Sequence, residues 1–277
     1  MPATMPTGDR AAPPLGQLLR HWRATRGMSQ MDVALRAGFS ARHVSFIETG
    51  RTQPSRHALV AIAETLDVPL RERNRILEAA GYAGVYRQTP LAATEMDHVR
   101  GVLQFILDRH EPHAAVVLDR YANCVMGNAS SMQLLGRLVD PSLLGGQVNL
   151  LRATFHPLGL RRWIVNWKEV SHHLLSRAER ELGELKNDDV GVALLEEIRG
   201  YAGPSAPQPR GPLAVDLLLP VHIRTESMDV RLFSTIMTLG TPQDVTLQEL
   251  RIETFFPADD LSAAALGTMQ NNPGLAR

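Results

Sequence analysis

Ser29-Gln-Met-Asp-Val-Ala-Leu-Arg-Ala-Gly-Phe-Ser-Ala-Arg-His-Val-Ser-Phe-Ile-Glu-Thr-Gly-Arg-Thr-Gln-Pro-Ser55 decides the architecture of the first third of the chain. Ser29, followed three residues later by Asp32, is a capping-box-like start, and Val33, Ala34 and Ala37 then face inward. Gly38 breaks that helix. Ser40 caps the next, with Phe39 and Val44 at the N′ and N4 positions of a hydrophobic staple, and Gly50 supplies a left-handed stop. Upstream, Leu15, Leu18, Leu19 and Trp22 form an amphipathic stripe that stops near Gly27. Downstream, Ser55 caps a fourth helix with Leu59, Ile62, Ala63 and Leu66 inward. Pro69 opens a fifth, which carries Ile76, Leu77 and Ala80 and closes at Gly81.

The second and third helices, joined through Ala37-Gly38-Phe39, have the spacing of a helix-turn-helix. With Val44 and Ile47 facing the core, the third helix presents Arg42, Ser45, Phe46 and Thr49 on its other side. Arg42 lies in the first turn, where recognition helices meet base edges, and Arg bidentate to guanine is the commonest specific contact. Phe46 has two readings, contact with a thymine methyl or packing on a neighbouring helix.

Charge supports the motif only after division. The whole chain of 277 residues has zero formal net charge. Residues 1–80 carry eleven Arg, no Lys and seven acids, a net +4, which leaves −4 on residues 81–277. Between Arg20 and Arg56, seven Arg face only Asp32 and Glu48. Such a segment is the electrostatic footprint of a nucleic-acid binder, with a solvated helix face as the competing reading.

At 44% hydrophobic and 21% charged residues, the composition excludes a disordered acidic chain. One cysteine, Cys124, excludes an intramolecular disulfide framework and a Cys-based zinc site, and fits a reducing cytoplasm. No apolar run approaches a membrane span, and no signal-peptide core stands at the N-terminus, so a soluble cytoplasmic protein is expected. Lys168 and Lys186 follow no Gly-rich loop, and neither a G-x-S-x-G elbow nor an H-E-x-x-H helix is present. No catalytic residue, cofactor or metal is therefore expected. Pro112 spoils the His110/His113 pair as a helical metal face, His172 and His173 point apart, and Cys124 among apolar neighbours reads as an inert core residue.

The quoted stretch resembles the repressor-type helix-turn-helix of the XRE family, through Gln-x3-Ala-x3-Gly and Ile-x-x-Glu-x-Gly-Arg-x-x-Pro. The resemblance covers residues 15–80. It implies that Gln30 contacts a phosphate or flanking base and that Ala41, Arg42 and Phe46 face the major groove. Ser40 and Ser45 belong to the same DNA-facing set, while Arg51 and Thr52 fall where the family's following loop grips backbone. Ala41 departs from the long polar residues often found there. The resemblance also pairs Arg23 with Glu48, which makes Glu48 structural.

Beyond Gly81, a helix near 95–109 precedes two strand candidates, His113–Asp119 and Asn123–Gly127, and Asn128 then starts a helical region through about residue 200. Residues 203–212 read as a surface loop. Leu213–Thr225, Val230–Leu239 and Leu247–Phe256 read as strands. His113–Gly136 looks like the opening of a PAS-type domain. Asp229–Asp259, Ile164–Val170 and Ala80–Pro90 resemble the MmyB-like transcription regulators, and with the N-terminal half the likeness covers roughly 14–260.

The expected fold is multidomain, α plus α+β. A five-helix lambda-repressor-like domain (14–81) follows a flexible arm (1–13). A linker and connecting helix (82–112) lead to a PAS-like antiparallel sheet with a helical insertion (113–259) and a flexible tail (260–277). The resemblance implies a bacterial, homodimeric, sequence-specific transcription regulator of double-stranded operator DNA, whose PAS-like domain binds a small hydrophobic or fatty-acid-like effector. The connecting helix would transmit effector state. The alternative is a constitutive repressor whose C-terminal domain only dimerises; a catalytic body is a third reading. Phe155, Trp163, Trp167, Val170, Phe233, Ile236 and Phe255 are candidates to line the effector cavity, with ordinary core packing as the competing role. Arg231, His222, Arg224 and Asn166 are candidates for an acidic head group, each against a surface or structural role.

Overall fold

The computed structural model describes residues 14–183, 188–202 and 218–270, which fall into two compact units. The expected arm at 1–13, the loop at 203–212 and the end of the tail at 271–277 lie outside the described residues.

The first unit comprises residues 14–89 together with Thr241–Gln248. Its helices are α1 (Leu15–Thr25), α2 (Gln30–Ala37), α3 (Ala41–Glu48), α4 (Arg56–Thr65) and α5 (Leu70–Ala79). Local chemistry sets their ends. Ser29 and Asp32 close a reciprocal capping box, and the hydroxyls of Ser40 and Ser55 accept from the backbone N–H groups of His43 and Ala58. Gly38, between α2 and α3, sits at φ +77°, a left-handed conformation that turns the chain sharply. Leu19, Trp22, Val33, Val44, Ile47, Leu59, Ile62, Ile76 and Leu77 form the core.

Residues 241–248 complete this unit. Gln248 Oε1 accepts from Leu70 N at 2.6 Å, at the start of α5, where Pro69 offers no side-chain cap. The Asp244 carboxylate accepts from Thr89 N and Oγ1 at 3.1 and 2.7 Å, and buried Val245 donates its N–H to Arg87 O. Asn74 fastens the stretch after α5 by bonding the backbone of Val85 and Tyr86.

The second unit comprises the described residues of 90–240 and 249–270. It contains α6 (Asp97–His110), β1 (Ala115–Leu118), β2 (Cys124–Gly127), α7 (Ala129–Leu138), α8 (Leu150–Phe155), α9 (Trp167–Gly183), α10 (Asp189–Ala202), β3 (Val221–Arg224), β4 (Asp229–Met237), β5 (Arg251–Pro257) and α11 (Asp260–Gln270). The strands form one antiparallel sheet in the order β2-β1-β5-β4-β3, and the helices between β2 and β3 are its insertion.

Register assigns the faces, because directly paired residues share a face and neighbours alternate. Val221, Ile223, Val230, Leu232, Ile236, Glu253 and Phe255 share one face. Ile223, Val230 and Leu232 pack there with Leu135, Leu138, Ala153, Ile164 and Val170. His222, Arg224, Asp229, Arg231, Phe233 and Phe256 occupy the opposite face.

Two expectations need correction. Val245–Glu249 is a short helical turn, so the last strand begins at Arg251 and not Leu247; an apolar run with spaced Val and Leu reads either way. Residues 260–270, expected as tail, form α11. Asp259 Oδ1 accepts from Ser262 N at 2.7 Å at its start, and Ala265 and Leu266 pack against the core.

Candidate nucleic-acid interface and apolar crevice

The base of α3 is fixed by one buried carboxylate. Glu48 accepts from Arg23 Nε and Nη2 at 2.7 and 3.1 Å, and from Gln30 Nε2 at 2.8 Å. This contact raises the Arg23 pKa above its ordinary value, the Glu48 hydrogen bond being the main cause. Arg20 donates to the Glu48 carbonyl at 2.9 Å. Close approach of α1 requires Gly16, since a Cβ there would stand 2.1 Å from that same oxygen.

These contacts sort the seven arginines between Arg20 and Arg56. Arg20 bonds the carbonyls of Gly16 and Glu48, Arg23 bonds Glu48 and Met28 O, and Arg26 bonds Leu66 O and Asp67 O. Arg36, Arg42, Arg51 and Arg56 are exposed, and among the described residues none has a carboxylate or carbonyl partner for its guanidinium. Three of the seven therefore serve the fold, and four remain available around α2, α3 and the loop after it.

On the outer side of α3, Phe46 is half-buried but stands outside the domain core. The guanidinium carbons of Arg42 and Arg51 lie 5.1 and 5.8 Å from its ring centroid. Ser45 is half-buried, and its carbonyl accepts from Thr49 Oγ1 at 2.7 Å. Other DNA-facing candidates have intramolecular work: Ser40 caps α3, Ala41 packs partly against the core, and the Gln30 amide is held by Glu48. Thr52 is half-buried beside exposed Arg51.

In the second unit, a small crevice of about 30 Å³, partly open to solvent, lies on the sheet face that carries Leu232 and Phe255. Ser130, Gln133 and Leu134 of α7 and Leu266 of α11 also line it. Two residues along β5 from Phe255, on the same face, sits buried Glu253, with Arg177 Nη1 of α9 at 3.5 Å. Arg177 Nε also donates to Glu181 at 2.9 Å.

Of the seven cavity and four head-group candidates, only Phe255 lines this crevice. Ile236 shares its face and is 43% exposed. Phe155 is fully buried in a separate cluster with Ala178, Leu194 and Ile198, its ring 5.2 Å from Trp167. Val170 is core, and Trp163 donates Nε1 to Leu138 O at 2.9 Å. Asn166 clamps the β3 edge, donating to Pro220 O and accepting from His222 N. His222 and Arg224 pair with Asp229, Arg231 pairs with Asp259, and the Phe233 ring lies 5.6 Å from Phe256, all on the opposite face. The head-group candidates are therefore not gathered at the crevice.

A model described as a helix-turn-helix domain matches residues 14–76, and one described as the MmyB-like transcription regulator ligand binding domain matches residues 99–269. The chain belongs to the MmyB-like transcription regulators. No curated protein matches it in sequence. The two matched ranges give this MmyB-like regulator a DNA-binding function in its first unit and a small-molecule-binding domain in its second. No helix among the described residues is long and apolar enough to cross a membrane.

Sequence reasoning did not foresee the Arg177–Glu253 pair in this domain because nothing local marks Arg177. It is one arginine of an amphipathic helix, 76 residues from its Glu253 partner. Leu134 and Leu266 were missed for a similar reason: ordinary helical apolar spacing does not reveal which residue borders a gap. Cys124 is half-buried, and burial pushes its thiol up to about 11, with Asp119 and Glu253 adding to the effect, so the unreactive thiol dominates at neutral pH.

Proposed function

We propose that the protein is a homodimeric, effector-responsive regulator of double-stranded operator DNA. In this reading α3 enters the major groove. Arg42, Ser45 and Phe46 meet base edges with Ser40, Ala41 and Gln30 at the margin, and Arg51 and Thr52 grip backbone. The observation that supports it is the sorting of arginines: among the described residues those without a carboxylate or carbonyl partner include Arg42 on α3 and Arg51 just after it. Such cations supply the phosphate affinity and a fork for guanine. Fluorescence anisotropy on a selected operator and on random duplex tests it. Arg42→Ala should narrow the gap between the two, whereas Arg51→Ala should weaken both together. Equal loss on both for Arg42→Ala would remove its base-reading role.

The effector is proposed to be a small amphipathic molecule of fatty-acid-like character. Its chain enters the crevice beside Leu134, Leu232 and Phe255, which must widen to admit it. Apolar lining with few polar anchors is the usual composition of such sites. Native mass spectrometry of the purified full chain tests this: a long-chain carboxylate adduct should appear and be lost in Leu134→Trp, which fills the crevice. An adduct of the same occupancy in that variant would place the effector elsewhere.

A further inference from the structure

Arg42, Phe46 and Arg51 form a group that neither family match assigns. Arg42 and Phe46 are four residues apart on α3, one turn along the same face, so their contact is set by helix geometry. Gly50, at φ +70°, reverses the chain, and the Arg51 N–H donates to Phe46 O at 2.8 Å. That turn brings a second guanidinium to the same ring, 5.8 Å from its centroid. Among the described residues neither guanidinium has a carboxylate partner, so no acid there competes for their N–H donors.

An arginine already lying on a ring has fewer rotamers to lose when it meets a base. Its fork matches O6 and N7 of guanine in the major groove. The ring beside it excludes water from the next base step, about 3.4 Å away along the strand. A base at that step is rewarded only if it shows the ring an apolar group, and the C5-methyl of thymine is the one such group in the ordinary major-groove code.

We propose that Arg42 and Phe46 act as one composite reader of a guanine beside a thymine. Arg42 is bidentate on the guanine, Phe46 lies on the thymine methyl, and Arg51 steadies the ring while its outer donors reach a phosphate. 5-Methylcytosine carries the same methyl in the same place, so binding responds to cytosine methylation at that step. This inference rests on the reading that α3 enters the major groove.

The test changes the DNA, leaving the protein fold untouched. The full chain is used to select duplexes from a random pool, and affinities for the selected site are measured by anisotropy. The half-site should contain adjacent guanine and thymine. Replacing that thymine by uracil, which removes only the methyl, should weaken binding roughly 4-fold. Replacing the guanine by 7-deazaguanine should weaken it about 5-fold or more. Cytosine in place of thymine should be weaker, and 5-methylcytosine should recover about 4-fold of the loss. Phe46→Ala should abolish the uracil effect, and Arg42→Ala the 7-deazaguanine effect. A selection without the guanine–thymine step, or a silent uracil substitution in a site that Phe46→Ala weakens, overturns the inference alone. If both variants bind the selected site as the parent does, α3 is not in the groove, and the underlying reading falls with it.

Discussion

Replacing Glu48 by Ala should loosen the DNA-binding unit by an amount that follows from its contacts. Three hydrogen bonds, at 2.7, 3.1 and 2.8 Å, converge on a carboxylate whose side chain is 2% exposed. Truncation leaves Arg23 with only the Met28 carbonyl at 3.0 Å, although its 21% exposure gives it some access to water. Removing one partner of a buried pair costs about 3–5 kcal/mol, and the partial hydration of Arg23 argues for the lower end, about 3 kcal/mol. Hydrogen exchange read peptide by peptide isolates this unit from the other. Amides of α1 and α3 should exchange roughly two orders of magnitude faster at equilibrium, while those of β1 and β5 stay unchanged. Adding Arg23→Met to Glu48→Ala should restore part of the protection, because the orphaned charge is gone. A change under about threefold in α1 and α3, or strict additivity of the two substitutions, would refute the keystone role of Glu48.

Gly16→Ala should cost about 1–3 kcal/mol and lower the melting temperature, since its Cβ would meet the Glu48 carbonyl at 2.1 Å and force α1 from α3; an unchanged melt would show that α1 shifts freely. Ser29→Ala should cost about 1 kcal/mol by removing the α2 cap, read from α2 amide exchange. The Ser29 hydroxyl, and then its backbone N–H, hold the Asp32 carboxyl below its ordinary value of 3.8, so this contribution is present above that pH and lost as pH falls through the lower folded value. Cys124 should resist iodoacetamide at pH 8 and react as pH rises toward about 11; the neutral thiol is favoured on folding, so its stabilisation is present below the ordinary value of 9.0 and lost between there and about 11. Rapid alkylation of the folded protein at pH 8 would contradict the burial. Arg36→Ala and Arg56→Ala should each flatten the salt dependence of DNA binding by about one unit of log–log slope, the share of a single neutralised phosphate, in a salt titration of the full chain on duplex DNA.

What the sequence made legible was local. Ser29, Ser40, Ser55 and Asn128 announce helix starts because each bonds a backbone N–H within three residues of itself. Gly38 and Gly50 mark turns because both sit at positive φ. The same logic applies at Asp259, three residues before Ser262, and points to α11 in place of a tail. Strand alternation was equally visible in β4. Which alternate set is covered depends on helices far along the chain, so Arg231 and Phe233 passed as cavity residues although they lie opposite the crevice. Glu253–Arg177 and Asp244–Thr89 join residues 76 and 155 positions apart, and no local pattern encodes such meetings.

The basic segment shows the same limit in electrostatic terms. A sequence counts charges, but a nucleic acid meets only those not already spent. Arg20, Arg23 and Arg26 bond carbonyls or a carboxylate within their own unit, so their hydrogen-bond donors are engaged before DNA arrives, and Arg23's charge is paired with that of Glu48. Among the described residues Arg36, Arg42, Arg51 and Arg56 have no carbonyl or carboxylate hydrogen-bond partner, and Arg42 and Arg51 lie beside Phe46 on and just after α3. The +4 of residues 1–80 is therefore less informative than the position of these four. Charge that holds α3 in place and charge that α3 presents are different resources drawn from one run of arginines. Neutralising Arg23 should perturb binding through the fold, and neutralising Arg42 through the base contact proposed for it.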